Sequence, residues 1–411
     1  MIDLSTAQNA LKDAYLVAAA NQLNTKTNPL LAKIKQSSSD VYGKQIIKMA
    51  PVGINGGIGA GSETGSLPAA NGNNYVQFKT TLKNLYGTIE ISDKAVRASA
   101  NSNGAFVDLL NAEMEGLLAA SKFNLGRMLY GDGSGAVGTV SSYSSGVATM
   151  ASVKNLIEGM VVDVYASNGT VTSNVGLRIA YVDRVNKTVA FTTSPAANMS
   201  NGDVFYVQGS KDKEITGLGA IFSQSTYLYG LTRSSNKWLT PYTSTTSQEI
   251  SDGILQEAVD FLEENTGSNI DFITCGAGVK RAYQQYLACY RRNIDITELE
   301  GGYKAISFNG IPVVSDRFIE DDTLYMLDTS KFTLHQLCDW EWIEGEGGKI
   351  LRQKAGYPAY TATLVKYADL ICEQPNGQAK FTNISSTVTN PFATVVTQEV
   401  ESSNEGTGSG T

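Results

Sequence analysis

The sequence contains a single histidine, His335, among its 411 residues. A Ser-His-Asp or Cys-His catalytic arrangement would have to use it, because both need an imidazole as the general base. Cys338 and Asp339 follow closely in the chain, but a lone histidine in the strand-like stretch SKFTLHQL is far more often structural than catalytic. We therefore predict that the protein is not an enzyme and has no catalytic residues.

Cysteine is scarce too, and its spacing disfavours two further kinds of site. The four cysteines lie far apart without a C-x-x-C pair: Cys275, Cys289, Cys338 and Cys372. This usage fits a reducing compartment and argues against a disulfide scaffold and a zinc site. Three acidic pairs lie in loop-like stretches without an EF-hand pattern: Glu298/Glu300, Asp321/Asp322 and Glu344/Glu346. We interpret these pairs as solvated turns and expect no cofactor and no metal.

Long apolar runs and a basic surface are also missing. No run approaches the roughly 18 residues of a membrane span, and the first 25 residues carry Asp3 and Asp13 where a signal peptide would be basic. The net charge is -8, and residues 1–100 hold ten Lys/Arg against six Asp/Glu, so +4 there leaves -12 for the rest. Phosphate binding needs a basic surface. We therefore expect no membrane contact and no general affinity for nucleic acid.

The longest regular pattern predicts an α-helix from about Ser102 to Tyr130. Ser102 and Asn103 suit the N-cap, and glycines after Tyr130 end the pattern. Apolar or small residues recur every three or four positions at Val107, Leu110, Met114, Leu117, Ser121, Leu125 and Met128. The outer positions carry Asp108, Glu113, Lys122 and Arg127. Such a helix would be a rod of about 38 Å, and periodicity alone does not distinguish it from an ordinary core helix.

The first 92 residues predict either an N-terminal arm that orders against a partner or a plain helix and linker, followed by an extended β-arm. LSTAQNALKDAYLVAAANQL is a short helical pattern, and the Lys-bearing stretch after it shows no clear period. Residues 51–74 contain seven glycines and cannot bury enough surface to offset their ordering entropy. Alternation of Val76, Phe78 and Thr80 then predicts strands. The glycines do not form a phosphate loop, because Thr64 stands where a dinucleotide fingerprint needs its third glycine.

The remainder divides into an all-β module and a mixed α/β region. Four short strand patterns between residues 139 and 213 indicate a small β-barrel or sandwich: MVVDVYAS, GLRIAYVD, TVAFTT and DVFYVQG. From Glu214 onward, helices are predicted between Ser247 and Gly267 and along GAGVKRAYQQYLACYRR. A long strand pattern broken by a Pro-Asn-Gly turn follows, and the last 27 residues form a low-complexity tail.

This order of parts resembles the major capsid proteins of tailed bacteriophages with the Hong Kong 97 fold. The resemblance is carried by LYGDGSG (Leu129 to Gly135), EITGLGAIF (Glu214 to Phe222), YLYGLTRSSNKWLTPY (Tyr227 to Tyr242), NGIPVVSD (Asn309 to Asp316) and YADLICEQP. It covers about residues 30–385, and the ordered set is more specific than any single motif. It implies an α+β fold with a small inserted β-barrel or sandwich.

The resemblance also implies domain limits. They are an N-terminal arm at 1–50, an extended loop at 51–92 that lies over a neighbouring subunit, a peripheral domain with a spine helix at 93–138, an inserted β-domain at 139–213, an axial domain at 214–340, peripheral-domain strands at 341–384 and a C-terminal tail at 385–411.

By the same resemblance the protein is a virion component that self-assembles as pentamers and hexamers into an icosahedral shell around a double-stranded DNA genome. Assembly in the bacterial host cytoplasm, a separate scaffolding protein, a portal and a possible decoration protein are implied, and packaged DNA would be contacted only weakly and non-specifically. Some relatives crosslink Lys to Asn between subunits; Lys79 and Lys83 lie in the extended loop, but nothing fixes an Asn partner, so we predict no crosslink. The alternative is another self-assembling phage structural protein, such as a tail tube or tail component.

Overall fold

The computed structural model describes residues 28–94, 103–195, 197–289, 296–298, 304–345 and 350–389. The α-helices are α1 Pro29–Lys33, α2 Asn103–Tyr130, α3 Leu218–Ile221, α4 Asp252–Thr266 and α5 Ala277–Cys289. Three short 3-10 turns are Lys237–Leu239, Thr329–Lys331 and Pro375–Gly377.

Strands outnumber helices in this part of the chain, as expected for a strand-rich α+β protein. They are β1 Lys35–Ser37, β2 Val41–Tyr42, β3 Gln45–Pro51, β4 Tyr75–Thr81, β5 Lys83–Ser92, β6 Ala136–Ser144, β7 Val147–Met150, β8 Val161–Tyr165, β9 Leu177–Asp183, β10 Thr188–Phe191, β11 Val204–Val207, β12 Tyr227–Leu228, β13 Leu231–Thr232, β14 Tyr242–Ser244, β15 Phe272–Cys275, β16 Ile296–Glu298, β17 Lys304–Phe308, β18 Ile311–Ser315, β19 Leu324–Leu327, β20 Phe332–Trp342, β21 Arg352–Gln353, β22 Ala359–Cys372 and β23 Ala379–Phe381.

The chain forms two compact units, Met1–Leu239 with Ser330–Glu373 and Thr240–Thr329 with Gln374–Thr411. The first unit is built on a sheet of order β1-β20-β22-β21, in which β22 also pairs antiparallel with β5 over ten residues. Along β5 the side chains of Leu85, Ile89 and Ile91 are buried while their neighbours are exposed. This strict alternation is what a sheet covered on one face requires.

Helix α2 covers that face and ends at Tyr130, as its pattern predicts. Met114, Ser121, Leu125 and Met128 of the predicted inner face are buried. The helix approaches β5 closely, because a Cβ atom at Gly87 would lie only 2.7 Å from Leu117 Cδ1. Gly87 thus lets the rod lie directly on the strand.

Arg127 corrects the predicted outer face of this helix. Its guanidinium is buried and forms a bidentate pair with Glu214, with Nη1 2.8 Å from Oε2. The final turn of α2 is buried on all sides, so a charge at the end of the rod needs a buried partner. That partner lies 87 residues along the chain, which is why helical periodicity alone misplaces Arg127.

Two of the motifs that carry the resemblance contact each other. A Cβ at Gly217 would lie 2.2 Å from Met128 O, and one at Gly219 would lie 2.8 Å from Gly131 C. The backbone of EITGLGAIF therefore lies directly against the end of α2. Gly133 and Gly135 both adopt positive φ angles, 84° and 83°, which glycine reaches without strain. These glycines let the chain leave the helix and enter the inserted module.

The inserted module is a closed barrel of order β10-β7-β6-β11-β8-β9. Its core includes Val140, Val162, Val164 and Phe205. The prediction of a small closed β-module is confirmed, but β6 and β7 were not among the predicted strands, and β6 begins three residues before the predicted limit. Buried Asp163 of β8 accepts hydrogen bonds from the backbone N–H groups of Gly176, before β9, and Gly209, after β11.

The second unit is a seven-stranded mixed sheet of order β14-β23-β19-β15-β18-β17-β16, with α4 and α5 packed on its core. Helix α4 begins after Ser251, whose Oγ accepts a hydrogen bond from Ile254 N, one turn later than the predicted start at Ser247. It ends at Gly267, as predicted, in the left-handed conformation. Leu255, Ala258 and Leu262 face the core.

The compact units and the predicted domain limits differ in three places. Residues 214–239 and 330–340, predicted to begin and end the axial domain, lie in the first unit, and residues 374–384, predicted as peripheral-domain strands, lie in the second. Within the first unit, the hydroxyl of Tyr229 bonds to Leu370 O and Cys372 N of β22. Strands β1, β2 and β3 also show that much of residues 28–50 has regular structure of its own. The helical pattern near the N-terminus and the end of the C-terminal tail lie outside the described residues.

Among the described helices, we find none with the length and hydrophobicity that crossing a membrane requires.

We expect Glu214→Gln to lower the free energy of unfolding by about 3–5 kcal/mol, because it leaves the Arg127 charge buried without its counter-ion. Glu90→Gln, which breaks the exposed Lys354–Glu90 pair, is the matched control and should cost no more than about 1 kcal/mol. Urea unfolding followed by tryptophan fluorescence measures both, since Trp238, Trp340 and Trp342 all lie in the first unit. Equal effects of the two variants would contradict the interpretation.

Candidate functional site: the β-arm and its anchor

We define the β-arm as strands β3 and β4 together with the segment 52–74 that joins them, which we call the arm tip. The strands pair antiparallel from Gln45↔Thr81 to Pro51↔Tyr75, and β2 extends this small sheet. The backbone N–H of Val52 donates to Asn74 O at 2.8 Å and closes the base of the tip. Seven paired residues on each strand make the arm a stem of about 23 Å that carries the tip.

The arm tip exposes large apolar side chains. Ile54, Ile58 and Leu67 are 79%, 76% and 89% exposed. Glu63 is the only charged residue between 52 and 74. Single exposed apolar residues are common, but three on one nearly uncharged segment make the arm tip a candidate contact surface.

The root of the arm is packed by aromatic rings. Phe78 of β4 is fully buried and meets Tyr229 and Trp238 edge-on, with ring centroids 5.5 and 5.6 Å apart. The backbone N–H of Lys79 donates to Tyr229 O at 3.0 Å. Burial raises the pKa of Tyr229 well above its usual value, so this hydroxyl stays protonated and can donate to Leu370 O. The stem is therefore fixed to β22 through Tyr229.

A buried carboxylate provides the polar part of the anchor. Asp369 of β22 accepts hydrogen bonds from Thr80 Oγ1 at 2.5 Å, Thr216 N at 2.7 Å and Thr216 Oγ1 at 3.2 Å. Burial raises the pKa of Asp369, and these donors act in the opposite direction. On the other strand of the arm, Lys48 Nζ lies 2.5 Å from Glu373 Oε1. Each strand of the stem is thus tied to the end of β22.

His335 lies on β20 beside this anchor. It is the cross-strand partner of Asp369, and its Nδ1 lies 3.1 Å from Ser39 O. A carbonyl accepts, so Nδ1 carries the proton, and Nε2 is buried without a hydrogen-bond partner. Burial is the main reason that the pKa of His335 is lowered. The side chain therefore holds the turn before β2 against the sheet as a neutral group.

The other candidate residues are distributed over both compact units. Asp321 and Asp322 lie in a turn before β19, in agreement with their interpretation as turn residues. Glu344 is in a loop and Glu298 ends β16, whereas Glu300 and Glu346 lie outside the described residues. The cysteines, Cys275, Cys289, Cys338 and Cys372, are all free thiols. Lys79 is exposed on β4 and Lys83 is half-buried at the start of β5.

In the described part of the chain, no three His, Cys, Asp or Glu side chains are grouped so that they could hold a metal ion. The polar groups at the root of the arm instead join separate chain segments through saturated hydrogen bonds.

Sequence reasoning found the arm but missed the residues that hold it. Thr80, Thr216 and Asp369 are far apart in the chain. The one available signal was Asp369 itself, a carboxylate within the apolar run of YADLIC, since a buried charge needs several donors.

We expect the free energy of unfolding to fall as the pH drops from about 7 to 5, through the single histidine. In the unfolded chain the histidine is protonated as the pH falls through about 6.5. In the folded chain the lowered pKa of His335 keeps the imidazole neutral to a lower pH, so protonation favours the unfolded state. The contribution of His335 to the free energy of unfolding is thus complete above the pKa that the histidine has in the unfolded chain, and it is lost as the pH falls below that value. The groups nearest the ring are of both signs, Lys48, Asp40 and Glu373.

The measurement compares wild type with His335→Gln, which keeps an N–H donor for Ser39 O. The difference in urea midpoint between the two proteins should shrink between pH 7.5 and 5.5, because acidic groups common to both cancel. Isotope-labelled NMR of the one imidazole gives its folded-state pKa directly. A pKa at or above 6.5 would sink the interpretation.

Sequence comparison identifies no relative: no family model matches the chain, and no curated protein matches it. Solved structures do match. The capsid of cyanophage A-1(L) aligns with a TM-score of 0.51 and 11% identity, covering 89% of this chain and 92% of that chain. The encapsulin complex of Synechococcus elongatus aligns at 0.45 and 9% identity over 90% and 96% of the chains. A native GTA particle capsid aligns at 0.45 and 9% identity over 88% and 91%.

The likeness to the cyanophage capsid spans nearly the full length of both chains at an identity too low to carry more than the fold. The chain therefore has the fold of a tailed-phage capsid protein.

Proposed function

We propose that the chain is a major capsid protein that self-assembles as pentamers and hexamers into the icosahedral shell enclosing a double-stranded DNA phage genome. The observation that carries the proposal is the fold, shared with the cyanophage A-1(L) capsid over 89% of this chain. A fold alone does not define a function. The β-arm supplies the second argument, because a rigid stem with an exposed apolar tip suits contacts between copies.

The anchor supports an assembly role over a catalytic one. Asp369, Thr80 and Thr216 saturate one another, and His335 is held against Ser39. These contacts hold the β-arm in one orientation. A shell distributes its stability over many such contacts, each weak, because multivalency raises the overall avidity. In this proposal the protein is structural and performs no chemistry on a substrate.

The proposal assigns roles to the parts of the chain. Residues 1–50 form the N-terminal arm, 51–92 the extended loop over a neighbour, and 93–138 the spine-helix part of the peripheral domain. The barrel is an insertion, and residues 214–340 supply most of the axial domain around the five-fold and six-fold axes. The strands at 341–384 complete the peripheral domain.

The proposed partners are other copies of the chain, a separate scaffolding protein, a portal and a possible decoration protein. The net charge of -8 fits weak, non-specific contact with packaged DNA. The proposed location is the virion, after assembly in the host cytoplasm, without covalent crosslinks between subunits.

We expect the purified chain, alone or with its neighbouring gene products, to form polyhedral shells or isolated pentamers and hexamers in negative-stain electron microscopy. Leu67→Asp should reduce the yield of assembled particles at least tenfold, because it places a charge on the apolar arm tip. Val185→Asp is the matched control, since Val185 in the barrel is also 89% exposed, and it should assemble like wild type.

Other outcomes would redirect the assignment. Tubes in place of shells would favour a tail component. A monodisperse monomer or dimer under every condition would contradict the capsid proposal. If the Leu67→Asp and Val185→Asp variants assembled equally well, the arm tip would not contribute to assembly.

A further inference from the structure

Strand β22 carries a lysine whose side chain is fully buried. Lys366 has no exposed surface, and its cross-strand partner on β5 is the buried Leu85. Directly opposite residues of an antiparallel pair point to the same face, so Lys366 lies on the face of the sheet that α2 covers. Lysines are almost never fully buried unless they are paired, because a charge there is costly. The groups around the amine therefore decide what this lysine does.

Two side chains of β20 contact this amine. Lys366 Nζ lies 2.7 Å from Gln336 Oε1 and 2.6 Å from Asp339 Oδ1. The pairing of β20 with β22 shifts register after Gln336 and again after Cys338. Such bulges change the direction of the side chains beside them. Here they bring an amide and a carboxylate to the same amine.

These three groups have the geometry of an amide transfer. A carbonyl carbon is about 1.2 Å from its oxygen, so Cδ of Gln336 lies within about 4 Å of the amine. Reacting atoms in a near-attack arrangement are about 3–3.5 Å apart, so a small rotation of the amide suffices. Asp339 is close enough to the amine to act as its general base. Burial lowers the pKa of Lys366, which favours the neutral, nucleophilic amine.

We propose that Lys366 and Gln336 form an isopeptide bond within one chain, with Asp339 carrying the proton. Asp339 takes a proton from Nζ, and the nitrogen lone pair attacks Cδ of Gln336. The tetrahedral intermediate collapses by breaking the bond from Cδ to the amide nitrogen, which receives the proton and leaves. Counted from the ammonium form of the lysine, the products are a secondary amide and one ammonium ion. One C–N bond forms and one breaks, so neither oxidant nor reductant is needed.

The reaction removes a charge from the place where it is costly. The side chain of Lys366 is fully buried, whereas 38% of the Asp339 side chain is exposed. A hydrogen-bonded amide is buried at a much lower cost than an ammonium group, and Asp339 keeps its charge in contact with water. The asymmetry of the pair therefore favours the product.

The bond would join β20 to β22 across 30 residues of chain. The same two strands carry the pair His335↔Asp369 at the anchor of the β-arm, so the bond would hold together the sheet to which the arm is fixed. It forms once in each chain and involves one chain only, so it is neither turnover of a substrate nor a link between subunits. It needs no assembly and is independent of the proposed function.

Mass spectrometry of the full-length wild-type chain, denatured and reduced, tests the bond. The intact mass should lie about 17 Da, one ammonia, below the mass that the sequence predicts. Trypsin does not cut after a modified lysine, so a digest should contain residues 355–380 joined to residues 332–349. Fragmentation should place the link between Lys366 and Gln336. Succinimide formation at an Asn-Gly step loses the same mass but joins no two peptides.

Two variants assign the roles. Asp339→Asn should reduce the linked peptide at least tenfold, because an amide cannot take up the proton. Lys354→Met is the matched control, since Lys354 forms an exposed pair with Glu90, and it should keep the full loss of ammonia. Circular dichroism shows whether each variant is folded. If Asp339→Asn does not fold, the peptide map of the wild type remains decisive.

Three results would overturn the inference. Wild-type chains that keep their full mass after several days of incubation would show that the amine and amide do not react. A link from Lys366 to Asp339, with loss of water in place of ammonia, would exclude Gln336 as the acyl donor. An undiminished link in folded Asp339→Asn would exclude Asp339 as the proton carrier.

Discussion

The carboxylate of Asp369 is the point on which the geometry of the β-arm depends. A buried charge is costly unless donors surround it, and here the donors come from β4, from the segment around Thr216 and from the backbone of Leu370. If the three segments separated, the carboxylate would lose its hydrogen-bond donors. Together with Phe78 against Tyr229, this fixes the direction of the stem. The tip has no comparable support, so its apolar residues remain available for contact.

Much of the fold could be predicted because its elements obey local rules. The period of α2, the end of α4 at Gly267 and the alternation of β4 all follow from residues close together in the chain. Strands β6 and β7 were not predicted, because their segment AVGTVSSYSSGVATM is rich in Gly, Ser and Thr. Apolar and polar residues alternate only weakly along it. Closure of the barrel supplies the pairing that local propensity does not. Tertiary pairing, not sequence period, decides these two strands.

For a related reason, the sequence predicts the arm but not the residues that anchor it. The arm tip can be predicted from its glycine-rich composition, without knowing which residues it contacts. Its anchor is made of contacts between residues far apart in the chain, such as Thr216 and Asp369, which are separated by 153 residues. Arg127 shows the same limit, since a cation on a helix looks solvent-facing until its partner Glu214 is known. Long-range polar pairing therefore has no signature in a single sequence beyond a charge in an apolar run.

In the proposed assembly, the rigidity of the stem matters more than the strength of the tip contact. A heterologous contact closes into a ring only if each copy repeats nearly the same rotation, and a loose stem would also permit open helical polymers. The tip can then bind weakly, because many copies act together. The same reasoning explains why buried, saturated hydrogen bonds lie at the root of the arm and apolar, nearly uncharged residues lie at its end. In this proposal the anchor sets the direction of the arm, and the affinity is shared among the copies.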